Sequence, residues 1–149
     1  MAQEFTLEDL GIPSGSEFHR LVERCGGSRL LRYDDGETLV ERGDPSRDAY
    51  LILRGGYVVR REESKDSVAE GQVTDPSAPE FVGELVYLGR GRRSASVAAL
   101  GETFAICLKP EHMDTIMEEF PMFTRILCKQ FAVVRSLPDL ALRSLKESF

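Results

Sequence analysis

The chain has 149 residues, 42% of them hydrophobic, and carries 25 acidic against 19 basic side chains, a formal net charge of −6. This length suits one domain, whose core we expect at about residues 14–137, with residues 138–149 as a tail. Because there is no apolar run of about 18 residues and the first residues are acidic, we expect no membrane span and no signal peptide. We therefore expect a cytoplasmic protein. The acidic balance disfavours nucleic-acid binding by bulk charge.

The residues that most often carry enzyme or metal chemistry are few and scattered. Cys25, Cys107 and Cys128 are odd in number and far apart, so they form neither a disulfide framework nor a metal motif, and we interpret them as buried free thiols. His19 and His112 are interpreted as isolated surface side chains. No nucleophile motif is present. The sequence therefore predicts no metal site and no catalytic residues.

The first predicted element is a helix in "SEFHRLVERCGG". Apolar residues recur there at helical spacing, namely Phe18, Leu21, Val22 and Cys25. Ser14 or Ser16 is the predicted N-terminal cap, and Gly26–Gly27 end the helix.

From residue 28 the pattern changes to short β-rich runs separated by turns. Turn signals lie at residues 34–36, at Gly55–Gly56, where we predict a hairpin, and at Gly101–Glu102. Short strands at this spacing predict a compact antiparallel barrel or sandwich. Residues 63–80 are polar, and we predict a mobile surface loop with at most a short strand near Gln72–Val73.

After Leu108 the pattern becomes helical again. Pro110 opens one predicted helix, Pro121 opens a second that runs to residue 137, and Pro138 ends it. The second helix has a broad apolar arc formed by Phe123, Ile126, Leu127, Phe131, Val133 and Val134. Such an arc packs on the domain, covers a ligand or pairs with a second copy of the chain.

Three arginines, Arg90, Arg92 and Arg93, stand within four positions of this acidic chain. A phosphate site needs free backbone N–H groups and a fixed cation, and Gly83 with a short helix in "ELVYL" would supply the first. A downstream arginine would supply the second. Composition alone favours a solvated cluster, and no Walker or dinucleotide motif is present.

The whole stretch "GELVYLGRGRRSASVAA" resembles the phosphate-binding cassette of the cyclic nucleotide-binding domain family. Gly83, Glu84 and Leu85 match the start of that cassette, and Arg93, Ser94 and Ala95 match its end. Upstream, "DGETLVERGDPSRDAYLILRGGYVV" is similar to the family's glycine turns, and the strand and helices after Ala105 are similar to its C-terminal part. About 120 residues are covered.

The resemblance implies a mainly β fold: an eight-stranded antiparallel β-roll with an N-terminal helix and two to three C-terminal helices. It implies that Arg93 pairs with the cyclic phosphate of cAMP or cGMP and that Glu84 accepts a hydrogen bond from the ribose 2′-hydroxyl. Gly83, Leu85, Ser94 and Ala95 would complete the site. We expect cAMP rather than cGMP, no cofactor besides this ligand, and signalling by movement of the C-terminal helices.

Other functions remain open at this point. A structural or interaction module of the same fold that binds no nucleotide is the main alternative, although an unpaired buried Arg93 would be costly without an anion. A nucleic-acid binder using "RGRR" is disfavoured. No effector domain follows Pro138, so we expect an effector protein in trans, unless the chain is a piece of a longer protein. A homodimer through helix 121–137 is a further alternative.

Overall fold

The structure is a computed structural model that describes residues 2–60, 67–84, 87, 93 and 95–135, and only the backbone of 67, 68 and 131–135. Within this part the chain forms seven strands, a short 3-10 helix at Leu7–Leu10 and three α-helices. The strands are β1 (Gln3–Glu4), β2 (Arg29–Tyr33), β3 (Thr38–Val40), β4 (Ala49–Arg60), β5 (Ser67–Val73), β6 (Glu80–Val82) and β7 (Ser96–Leu108). The helices are α1 (Glu17–Arg24), α2 (Pro110–Glu119) and α3 (Pro121–Arg135).

All seven strands belong to one antiparallel sheet. Its main path runs β1-β2-β7-β4-β5, while β3 pairs with β7 and β6 pairs with β4. The mainly β class and the roll predicted from the sequence are confirmed. The described residues hold seven strands, where the resemblance implied eight. β4 and β7 each continue through a glycine at which we had expected a turn.

The hairpin predicted at Gly55–Gly56 is wrong: both glycines lie inside β4. Gly55 has φ +112°, and a Cβ there would overlap the backbone of Glu102 and Thr103. The register between β4 and β7 shifts on both sides of Arg54. These glycines therefore permit a β-bulge and a close approach of two long strands, which is the other structural use of glycine in a strand.

The bulge changes which residues of β4 face the two sides of the sheet. Before it, Tyr50 and Ile52 face the cluster inside the roll, while Leu51 and Leu53 face the cluster under the helices. After it, the odd-numbered Tyr57 faces the inside. A register shift of one residue exchanges the two faces of a strand. Sequence alternation alone could not give this reversal.

The helices pack on one side of the sheet around a large apolar cluster. Its fully buried members include Leu21 of α1, Met113 and Ile116 of α2, and Phe123 and Leu127 of α3. The predicted N-terminal helix is confirmed, with the Ser16 hydroxyl accepting from the backbone N–H of His19. None of the described helices is long and apolar enough to span a membrane.

His112 was predicted to be a surface histidine, and this is wrong. Its side chain is buried, and both ring nitrogens have partners. Nδ1 accepts from the Lys109 backbone N–H at 3.0 Å, and Nε2 lies 3.0 Å from the Gly26 carbonyl oxygen. It therefore caps the start of α2 and ties it to the end of α1. His19 is partly exposed and pairs with Glu8 at 3.1 Å.

Two further predictions need correction. β5 extends over Ser67–Val73, so the segment predicted as a loop holds a longer strand than expected. The three thiols are free, but only Cys25 is buried, while Cys107 is intermediate and Cys128 is exposed on α3. Residues 61–66 and the predicted tail at 138–149 lie outside the described residues.

Candidate functional site

Gly83 follows directly on β6 and begins the segment in which we predicted an anion site. Its φ is +72°, a conformation that side chains other than glycine rarely adopt. A Cβ at this position would lie 2.9 Å from Nη1 of Arg93 and 3.2 Å from Cγ2 of Val40. Gly83 therefore serves two purposes, since it makes the turn and leaves room for the guanidinium group.

Arg93 is 5% exposed, and its guanidinium reaches back to two backbone carbonyls. Nη1 donates to the Gly83 oxygen at 2.7 Å, and Nη2 donates to the Asp48 oxygen. The Arg93 backbone is fixed as well, because its carbonyl accepts from the Gly43 N–H at 2.9 Å. The turn after β3, the start of β4 and the end of β6 thus converge on this one side chain.

The charge of Arg93 is the unusual feature of the site. Among the described residues no carboxylate lies within 4 Å of its guanidinium. Burial lowers the pKa of Arg93, although an arginine remains protonated in proteins, and Asp48 and Asp44 act on it only from further away. The structure thus buries a cation whose partners are neutral oxygens. Arg93 is thus buried but not unpaired, and its role in binding an anion stays a prediction.

Glu84 comes directly after Gly83. The backbone of Glu84 is helical, and so is that of Tyr87. Burial raises the pKa of Glu84 to about 7, against smaller opposing effects of its own backbone N–H and of the positive charge of Arg93. This carboxyl therefore keeps its proton to a higher pH than an exposed glutamate does. A carboxylate in such surroundings gains from a hydroxyl that donates to it.

The remaining predicted site residues are only partly covered by the structure. Ala95 is half-buried just before β7. Leu85 and Ser94 lie outside the described residues, as do Arg90 and Arg92.

Tyr87 connects the segment to the helices, which the sequence did not indicate. Its hydroxyl donates to Oδ1 of Asp114 in α2 at 2.5 Å, and its carbonyl accepts from Nη2 of Arg47 at 3.5 Å. No residue spacing marks this link because Tyr87 and Asp114 are far apart in sequence. It gives the segment that starts at Gly83 a direct contact with the C-terminal half of the molecule.

The part of the chain that the structure describes contains no cluster of side chains that could bind a metal ion. No group of three or more histidine, cysteine, aspartate or glutamate side chains is close enough together there to hold an ion. The convergence of Gly83, Glu84 and Arg93 is instead suited to a ligand that combines an anion with a hydroxyl.

A model of the cyclic nucleotide-binding domain family matches residues 30–120. This match covers more than half of the chain, including Gly83, Glu84 and Arg93. The chain belongs to the cyclic nucleotide-binding domain family.

The relatives that the chain matches are longer proteins of different kinds. The chain is 33% identical over 97 residues to the potassium/sodium hyperpolarization-activated cyclic nucleotide-gated channel 3 of Homo sapiens, covering 65% of this chain and 12% of the channel. It is 26% identical over 115 residues to the cAMP-dependent protein kinase regulatory subunit of Dictyostelium discoideum, covering 76% of this chain and 35% of the subunit. The chain therefore spans a minor part of the curated relatives it matches.

Solved structures show the same fold. The catabolite activator protein of Thermus thermophilus superposes with a TM-score of 0.66 at 22% identity, over 89% of this chain and 60% of that one. A cAMP-binding acyltransferase from Mycobacterium smegmatis gives a TM-score of 0.60 at 21% identity, over 72% of this chain and 34% of that one. At these identities the likeness establishes the β-roll.

Proposed function

We propose that the chain is a regulatory module that binds a cyclic nucleotide, cAMP in preference to cGMP, and that it has no catalytic activity of its own. The observation that carries this proposal is the buried guanidinium of Arg93, which has no carboxylate partner among the described residues and lies against Gly83 and beside Glu84. A cyclic phosphate supplies the missing negative charge. The ribose 2′-hydroxyl supplies a donor for the carboxylate of Glu84.

The geometry leaves capacity for such a ligand. A guanidinium has five N–H donors, and the two carbonyl bonds of Arg93 occupy only part of them. A phosphate accepts two parallel bonds from one arginine, an arrangement that lysine cannot reproduce. Leu85, Ser94 and Ala95 would complete the site, as the family pattern implies.

The preference for cAMP is supported by the relatives. The kinase subunit of Dictyostelium discoideum is cAMP-dependent, and the acyltransferase of Mycobacterium smegmatis is cAMP-binding. This chain covers 34% of that acyltransferase, so the acyltransferase contains further chain beyond the matched module. For this chain we propose that the output acts through an effector protein, in the cytoplasm.

One observation favours a second function, that of a structural module that binds no nucleotide. The donors Nη1 and Nη2 of Arg93 already bond to the Gly83 and Asp48 carbonyls, so the fold tolerates the buried cation without an anion. Such a module would use the β-roll as a scaffold for a partner. The two functions differ in one property, which is affinity for a cyclic nucleotide.

Calorimetric titration of the purified chain with cAMP and with cGMP tests the proposal. We expect saturable binding with one site per chain and tighter binding of cAMP. Arg93→Ala should weaken cAMP at least about 30-fold because a buried phosphate loses its charged partner. Arg93→Lys should also weaken it, since ammonium does not reproduce the planar fork.

The matched control is Arg92→Ala, which removes the same charge one position away from the residue that the family pattern places on the phosphate. We expect a loss of less than about threefold, because the resemblance does not place Arg92 on the anion of the ligand. Thermal unfolding verifies that each variant is folded. No binding of either nucleotide by the parent chain would support the scaffold function, and equal losses in Arg92→Ala and Arg93→Ala would contradict the assignment of Arg93.

A further inference from the structure

Tyr57 is an aromatic residue of the cluster inside the roll that the predicted site does not include. It lies in β4 after the bulge, and the register shift there turns its side chain toward the cluster inside the roll. Without this shift Tyr57 would face the helices, because residues before and after it alternate between the two sides of the sheet. The bulge therefore delivers an aromatic ring to the side of the sheet on which Val82 and Val40 lie.

The neighbours of Tyr57 on both adjacent strands are small. It pairs with Gly71 of β5 on one side and with Ala99 of β7 on the other. The phenol ring lies so closely over Gly71 that a Cβ at that glycine would overlap it. One face of the ring thus covers backbone, while the residue keeps part of its surface accessible.

The position of the ring is fixed by Glu80. The Tyr57 hydroxyl donates to Oε1 of Glu80 at 2.8 Å, and Glu80 lies two residues before Val82, hence on the same face of β6. Burial raises the pKa of Tyr57, with the Glu80 bond and the charges of Glu80 and Glu84 adding to it, so the hydroxyl stays protonated as a donor. The ring is held by its packing on Gly71 and by the hydrogen bond of its hydroxyl to Glu80. It therefore loses little conformational entropy when a ligand contacts it.

This aromatic surface lies along the strand that leads into the candidate site. Glu80 precedes Gly83 by three residues of extended chain, about 10 Å. Val82 and Val40 belong to the same cluster as Tyr57, and Val40 also borders Gly83. A ligand whose phosphate is at Arg93 and whose ribose is at Glu84 therefore has its base free to extend along β6 toward the ring.

We propose that Tyr57 contacts the base of the bound cyclic nucleotide through the ring face turned away from Gly71, with Glu80 as the residue that positions the ring. This inference rests on the proposed function and extends it to the recognition of the base. Aromatic surfaces bind any base by stacking, so Tyr57 contributes affinity for the base as such rather than a choice between adenine and guanine.

The test compares two probes, cAMP and ribose 3′,5′-cyclic phosphate, which keeps the phosphate and the 2′-hydroxyl and lacks the base. In calorimetric titrations Tyr57→Leu should weaken cAMP roughly tenfold. The same variant should bind the base-free probe like the parent chain. Tyr57→Phe keeps the ring and loses only the bond to Glu80, so it should bind cAMP more weakly than the parent chain and more tightly than Tyr57→Leu.

The matched control is Phe104→Leu, which removes a half-buried ring from the helix side of the same sheet, where it packs on Phe5. It should change neither affinity. The fluorescence of the chain provides a second readout, because there are four tyrosines and no tryptophan. Saturating cAMP should quench part of the tyrosine emission in the parent chain and not in Tyr57→Leu.

The outcomes separate this inference from the proposed function. A selective loss of cAMP affinity with the expected quenching supports the base contact. Equal losses for both probes would make Tyr57 a structural residue, and unchanged cAMP affinity would place the base elsewhere; either result overturns the inference and leaves the module a nucleotide binder. If the parent chain binds neither probe, the proposed function itself fails.

Discussion

Glu84 is partly buried and Arg93 is buried, and burial acts against the charged form of each. It raises the pKa of Glu84 to about 7 and lowers the pKa of Arg93. The positive charge of Arg93 partly offsets the effect on Glu84. In the proposed complex a phosphate at Arg93 and a hydroxyl that donates to Glu84 would each favour the charged form of the side chain they contact.

Glu84 should make the stability of the free protein depend on pH. Its pKa is about 7 when folded against an ordinary value of 4.5, so the folded state keeps a proton that the unfolded state loses between these values. The stabilisation is complete below pH 4.5 and is lost as the pH rises to 7. Across this window we expect the free energy of unfolding of the parent chain to fall by about 1–3 kcal/mol relative to Glu84→Gln.

Urea unfolding of both proteins below, within and above the window measures this difference. The glutamine keeps the shape of the side chain and does not titrate, so it removes only the contribution of Glu84. Parallel stability curves for the two proteins would mean that the Glu84 carboxyl is as well solvated in the folded state as in the unfolded one.

Some residues of the candidate site could be named from the sequence because the cassette pattern of the family places them at a short spacing. Gly83, Glu84 and Arg93 stand close in sequence, and the structure brings them together at the end of β6. Asp48 contributes through its backbone carbonyl, which has the same chemistry in every residue. His112 was misjudged for a related reason, since its partner Gly26 is remote in sequence.

At the scale of the elements, a side chain of α3 forms hydrogen bonds to the backbone of β6 of the kind that a neighbouring strand would form. Oε1 of Gln130 accepts from the Phe81 N–H at 2.8 Å, and Nε2 donates to the Phe81 carbonyl at 2.9 Å. One amide thus satisfies both backbone groups at the open edge of β6, two residues before Gly83. The position of α3 is thereby tied to the start of the site.

Gln130→Ala should leave both polar groups of Phe81 without their protein partner. We expect a loss of about 1–3 kcal/mol in the free energy of unfolding, together with faster amide exchange at Phe81. Lys129→Ala is the matched control, because this neighbouring side chain on the same helix is exposed. Urea unfolding and hydrogen exchange measure the two effects, and equal stability of both variants would mean that water replaces the amide at no cost.

Elements were predicted best where they depend on local signals. α1, with its serine cap and glycine stop, and the proline-initiated α2 and α3 are such cases. Gly55 shows the limit, because a glycine with positive φ serves both a hairpin and a bulge. What decides between them is the approach of Glu102 and Thr103, which belong to a strand formed much later in the chain.

For the molecule as a whole, the proposed signal is a change in how α3 lies on the roll. α3 follows α2 directly at Pro121, its inner residues Phe123 and Leu127 are buried, and Met122 is exposed. A ligand shifts such a helix only by binding one position more tightly than the other. The link from Gln130 to Phe81 and that from Tyr87 to Asp114 give the ligand site two contacts with the helices.

We expect saturating cyclic nucleotide to slow amide exchange in residues 121–137 as well as in 83–96. Hydrogen exchange followed by mass spectrometry measures both segments in one experiment. Arg93→Ala with the same nucleotide concentration is the control, since it should show neither change. Protection confined to 83–96, with the helix already protected in the free protein, would show that α3 is static and that the signal leaves by another route.

The pairings of β7 have a consequence for how this protein folds during its synthesis. β7 is the last strand of the described chain and pairs with β2, β3 and β4, in contacts that range from Arg60 with Ser96 to Arg29 with Cys107. A chain made from its N-terminus thus exposes the edges of its earlier strands until Leu108 has been synthesised. Such distant pairings fold slowly, so the newly made chain passes through an interval in which unpaired strands invite misassociation.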